Sequence, residues 1–176
     1  GKLVELAAAW RALDPAPGGA SDGLDARSRA GLERFRSVAI ERLEQMGTGT
    51  EVFGLVHNDF LAENLLVDGG RLTLLDFDDC GEGWDLFDLA PALVSVATRG
   101  DYAEIAEAFF DAYGARRPLP SGWRDDVTFF FALRMATYAA WFDTRSHTRF
   151  AQELGPVVVA AAADVVGQFL DGTLEV

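Results

Sequence analysis

The stretch from Asn64 to Leu75 constrains this chain most. Two short apolar runs, Asn64-Leu65-Leu66-Val67 and Arg71-Leu72-Thr73-Leu74-Leu75, flank Asp68-Gly69-Gly70. Asp and Gly tolerate the left-handed backbone that a tight turn needs, so this pattern predicts a β-hairpin. A shorter apolar run, Val52 to Val56, precedes it. Helical periodicity dominates elsewhere. It covers 3–13, which stops at Asp14-Pro15, and about 25–46, which puts Leu32, Phe35, Val38, Ile40 and Leu43 roughly on one side. Four more helices are predicted over about 84–98, 101–113, 123–145 and 150–170, with breaks at Gly100, 116–122 and 146–148. Strands do not alternate with helices as they do in a parallel-sheet enzyme.

Composition narrows the function. The 176 residues suffice for one domain with a sizeable core. The net charge of −13 disfavours nucleic acid and anionic membrane, both polyanions, as partners. Two apolar stretches were weighed as membrane spans: 127–142 contains Arg134, and 156–170 falls short of the roughly 20 residues that a span needs. Both read as core helices. The N-terminus shows no signal peptide, and the single cysteine, Cys80, cannot form an internal disulfide, so a cytoplasmic location is expected. Lys2 is the only lysine.

Chemistry-bearing residues concentrate in 55–90, LVHNDFLAENLLVDGGRLTLLDFDDCGEGWDLFDLA. Asp59 and Asn64 share one loop, and the hairpin brings Asp76 back towards it. A carboxylate and an amide oxygen are hard ligands suited to Mg²⁺, which keeps several waters and binds substrate phosphates. Asp59 would remain free to orient a hydroxyl and accept its proton.

The pattern His57-Asn58-Asp59, then Asn64, a hairpin and Asp76-Phe77 resembles the catalytic and metal loops of protein kinases and the aminoglycoside phosphotransferase-like kinases. His-Asn-Asp, and the extension DFDDCGEGWDLFDLA with its Gly-Trp and Asp-Leu-Ala, is similar to the small-molecule branch, which includes choline kinase. The resemblance implies an α+β, predominantly helical fold: the C-terminal lobe of a protein-kinase-like fold, with a short β-hairpin carrying the catalytic and metal loops. It implies Asp59 as catalytic base, and Asn64 and Asp76 as ligands of a Mg²⁺ that bridges the phosphates of ATP. His57 and Asp88 would brace the loop, and Asp78 would either reach metal or substrate or face solvent.

Rival motifs fail on particular residues. LTLLDFDD resembles the opening of a dehalogenase-type phosphatase, but Asp79 stands where Thr or Val is needed and no downstream lysine follows. An EF-hand loop begun at Asp76 has Phe87 where a bidentate Glu is required. Two histidines and one cysteine do not make a zinc site of the usual kind.

The resulting expectation is a single domain over 1–176 with its catalytic core at 51–90, lacking the N-terminal lobe whose loop and lysine cover ATP. The reaction expected is ATP-dependent phosphoryl transfer to a hydroxyl of an aminoglycoside, amino alcohol, homoserine or sugar, with little activity from this lobe alone. The alternative is a non-catalytic kinase-like module for binding or for self-association through the face left by the other lobe.

Overall fold

The computed structural model describes residues 19–176; the helix expected over 3–13 lies outside them. Helix α1 (Ala26–Met46) starts where the Asp25 carboxylate accepts the Ser28 N–H at 2.7 Å. It ends at Gly47, whose φ of 65° suits a residue without a β-carbon. Four strands follow: β1 (Phe53–Val56), β2 (Leu65–Asp68), β3 (Arg71–Leu74) and β4 (Gly81–Trp84). After them come α2 (Leu89–Val94), α3 (Tyr102–Gly114), α4 (Trp123–Thr144) and α5 (Arg149–Leu170).

The predicted hairpin is β2–β3, antiparallel, with Leu65 opposite Leu74 and Asp68 opposite Arg71. Gly69 and Gly70 turn it at φ of 52° and 80°. A second antiparallel pair joins β1 to β4, with Phe53 opposite Trp84 and Val56 opposite Gly81. Here the sequence reading needs correction, because no helix runs over 84–98. Trp84 ends a strand, Asp85–Asp88 form a 3₁₀ turn, and the α-helix covers only Leu89–Val94. Gly-Glu-Gly-Trp has little intrinsic strand preference, so its pairing depends on the partner strand β1. The Asp85 N–H extends the ladder to the Val52 carbonyl at 3.0 Å, and its carboxylate pairs with Arg117.

The chain divides into two compact units, one spanning Gly49–Phe131 and one joining the described residues up to Thr48 with Ala132–Glu175. Helix α4 contributes to both. In the first unit the core is aromatic. Phe87 meets Phe130 edge-on with ring centroids 5.9 Å apart, and Phe53 meets Trp84 in the same way at 5.1 Å. Each such ring, fully buried, contributes about 1.5–3 kcal/mol relative to exposure. In the second unit Phe142, Ala151, Val159 and Ala162 form a cluster, and Phe35 of α1 packs edge-on against Phe169 of α5 at 5.4 Å.

The apolar stretch expected at 156–170 belongs to a longer helix. At 22 residues, α5 is long and apolar enough to cross a membrane by length and composition. One face of it nonetheless supplies Ala151, Val159, Ala162 and Val166 to a protein core. Gly155 on this helix admits close packing. A β-carbon there would lie 2.7 Å from that of Ala20 and 3.5 Å from the Phe142 ring. In an open helix, replacing Gly by Ala would stabilise by up to about 1 kcal/mol. Here the clash reverses the sign, and Gly155→Ala should destabilise by about 1–3 kcal/mol in urea unfolding. A stabilised variant would show that Ala20 moves aside without cost.

Candidate active site

Strand β1 ends at Val56 and delivers the chain to His57, Asn58 and Asp59. The loop is held from below by one carboxylate. Asp88, at the end of the 3₁₀ turn after β4, accepts the His57 N–H at 2.7 Å through Oδ2 and the Asn58 N–H at 2.8 Å through Oδ1. Asn58, the second of these donors, takes a left-handed conformation, φ 66°. Burial pushes the Asp88 carboxyl above the ordinary aspartate range, and the two amide hydrogen bonds oppose that shift.

The His57 ring is 5% exposed and spans two loops. Its Nε2 lies 3.0 Å from the Leu75 carbonyl oxygen, and its Nδ1 accepts the Asp59 N–H at 3.3 Å. A carbonyl can only accept, so the ring proton sits on Nε2. His57 therefore braces the loop with both nitrogens and offers no free one for proton transfer.

Asp59 and Asn64 are brought together. The Asn64 side-chain amide donates from Nδ2 to the Asp59 carbonyl at 2.9 Å and to its carboxylate at 3.2 Å. The Asn64 carbonyl accepts the Leu75 N–H at 2.9 Å, which extends the hairpin by one pair and sets Asp76 next in line. Asp76 is exposed and has φ of 61°, unusual for a residue with a β-carbon. Asp78 and Asp79 are exposed as well.

The donor set suits Mg²⁺ held together with phosphate. With its Nδ2 committed to Asp59, Asn64 has its amide oxygen as the remaining donor, and Asp76 adds a carboxylate from the neighbouring loop. Among the described residues no group of three or more His, Cys, Asp or Glu side chains is arranged to hold a metal ion. A caged structural metal would need such a group. Mg²⁺ needs only one or two protein oxygens, completing its octahedron with water and nucleotide phosphate.

Residues 3–125 match the family model described as the phosphotransferase enzyme family. The chain belongs to that family. No match was found among curated protein sequences. Among solved structures, a microcompartment-associated aminopropanol kinase is 28% identical with a TM-score of 0.75, over 88% of this chain and 50% of that one. The amicoumacin kinase hAmiN, in complex with AMP-PNP, Ca²⁺ and Ami, is 21% identical with a TM-score of 0.61, over 80% of this chain and 46% of that one. This phosphotransferase chain thus spans about half the length of each. Its fold is the helix-rich α+β lobe of a kinase-like protein, with the hairpin carrying the polar loops.

One residue of the site escaped the sequence reading. Asn58, 5% exposed, donates from Nδ2 to the Asp79 carbonyl at 2.9 Å. In the sequence Asn58 counted only as the middle of the His-Asn-Asp pattern, with no role of its own.

Asp88 gives a pH test. A carboxyl raised by folding keeps its proton in the folded state where the unfolded chain has lost it. Its contribution to stability therefore falls as pH rises from about 4 through the raised value. Asp88→Asn removes this titration. The difference in urea midpoint between wild type and Asp88→Asn should move against the wild type as pH rises from about 4 towards neutrality. A movement in its favour would show that the amide hydrogen bonds outweigh burial.

Proposed function

We propose that this chain is the catalytic lobe of a kinase that transfers phosphate from ATP to a hydroxyl of a small molecule. The observation that carries the reading is the bond from Asn64 Nδ2 to the Asp59 carboxylate, 3.2 Å, on a loop joined through Asn64 to the residue before Asp76. It holds the Asp59 carboxylate against the Asn64 amide, which supports Asp59 as the group that meets the acceptor hydroxyl and the Asn64 oxygen as a donor to Mg²⁺.

Asp59 orients the acceptor hydroxyl and takes its proton as the oxygen attacks the terminal phosphate, whose bond to the β-phosphate oxygen breaks and releases ADP. Asn64 fixes the Asp59 carboxylate with its NH₂ group and would hold the metal with its oxygen. Asp76 supplies the second metal ligand. When bound, Mg²⁺ neutralises charge on the β- and γ-phosphates. His57 and Asp88 set the loop's geometry without entering the reaction.

For the acceptor, an amino alcohol is the foremost choice within the class that also holds aminoglycosides, homoserine and sugars. It is supported by the net charge of −13, which favours a cationic substrate, and by the likeness to an aminopropanol kinase. The reaction is proposed for a protein that carries this lobe together with a nucleotide-covering lobe, since the kinases of similar structure are about twice as long.

In the active enzyme, Asp59→Asn should lower kcat by about 10²–10⁴-fold, the usual worth of a general base. An unchanged kcat would remove Asp59 from the mechanism. For the metal site, titration calorimetry of the 176-residue chain with Mg²⁺-ATP should give heat that Asp76→Ala abolishes. Equal binding by both would rule Asp76 out as a ligand.

A further inference from the structure

We infer that Asn58 is a positioning residue that holds the metal-binding loop in place through its hydrogen bond to the Asp79 carbonyl. The inference deepens the kinase reading of this site and rests on it.

Residues 75–79 are all exposed, so packing does little to fix them. Asp76 within them takes a left-handed conformation that costs energy for a residue with a β-carbon, and such a conformation persists only when the surroundings impose it. The constraint comes from two adjacent side chains of the catalytic loop. His57 Nε2 binds the Leu75 carbonyl at 3.0 Å, on one side of Asp76, and Asn58 Nδ2 binds the Asp79 carbonyl at 2.9 Å, on the other. Between these two points the segment has its own turn, Cys80 N–H to the Phe77 carbonyl at 3.1 Å, and the His57 ring meets Phe77 edge-on at 4.7 Å.

Asn58 meets two requirements at once. Its backbone must be left-handed where the loop turns towards Asp59, and after glycine Asn is among the residues that take this conformation most readily. Its side chain must also reach Asp79 with a donor. Glycine satisfies the first requirement and fails the second. The chain of contacts therefore runs from Asp88 through the amides of 57 and 58 to the two ends of the segment that presents Asp76.

The test is Asn58→Gly in the 176-residue chain, which keeps the backbone conformation and deletes the tether. Hydrogen exchange should accelerate at 75–80 and stay unchanged in the helices. Binding of Mn²⁺, followed by its electron paramagnetic resonance signal, should weaken by about three- to tenfold, the worth of one buried hydrogen bond. In the active enzyme the half-saturating Mg²⁺ concentration should rise by a larger factor than kcat falls, a split that general destabilisation would not give. Asn58→Asp, which turns an oxygen towards the Asp79 carbonyl, should accelerate exchange over the same segment. Asp76→Ala separates the possible failures. If it abolishes Mn²⁺ binding while Asn58→Gly binds and exchanges like wild type, the tether is overturned and the kinase reading stands. If wild type and Asp76→Ala bind Mn²⁺ alike, the metal site is overturned and this inference with it.

Discussion

The pair of hydrogen bonds from the His57 and Asn58 amides to the Asp88 carboxylate is the constraint on which the site depends. Each is a bond to a group that carries charge when ionised, worth more than a neutral one, about 1.5–3 kcal/mol. Together they fix the loop where β1 ends. Asp88 is itself immobilised by its neighbours, since Phe87, Leu89 and Ala90 are all at most 1% exposed. Burial disfavours its ionised form, and the two amides offset that cost, so cutting either one would weaken the other's hold.

From that fixed loop the order spreads by short steps. His57 and Asn58 reach the Leu75 and Asp79 carbonyls, while Asn64 ties the Asp59 carboxylate to the start of the hairpin. The hairpin does not bury a face, because Leu66, Val67 and Leu72 are 54–67% exposed. Its ladder and its glycine turn hold it, and its place is set by polar contacts. Environment then divides the carboxylates by task. Asp88, half-buried, anchors backbone; Asp59, also half-buried, is held by the Asn64 amide; Asp76 is exposed and left-handed.

The elements that were legible in the sequence are those whose cause is local. A turn that needs positive φ declares itself as Asp-Gly-Gly, and helix periodicity gave α1, α3, α4 and α5 to within a few residues. The elements that were missed have a distant cause. β4 is Gly-Glu-Gly-Trp, a strand only because β1 lies beside it. The short α2 was merged with Trp84, the 3₁₀ turn at Asp85–Asp88 and the residues up to 98 into one long helix, since apolar spacing alone does not separate a turn from a turn of helix. Gly155 reads as a weak point in a helix until Ala20 and Phe142 are seen against it.

The same division holds for chemistry. The sequence by itself determined the helix-rich α+β class and the candidate set of polar residues, because His-Asn-Asp, Asn and Asp-Phe at that spacing around a hairpin depend on residue type and order alone. Tertiary structure decided which of those residues touch one another. The Nε2 proton of His57 and the reach of Asn58 to Asp79 each need a partner from another loop, and the Asn64 amide needs its own loop folded back on Asp59. Hydrogen bonds between segments 18 to 31 residues apart are set by where the chain folds back. A list of side chains carries no such distances, and only the packed fold supplies them.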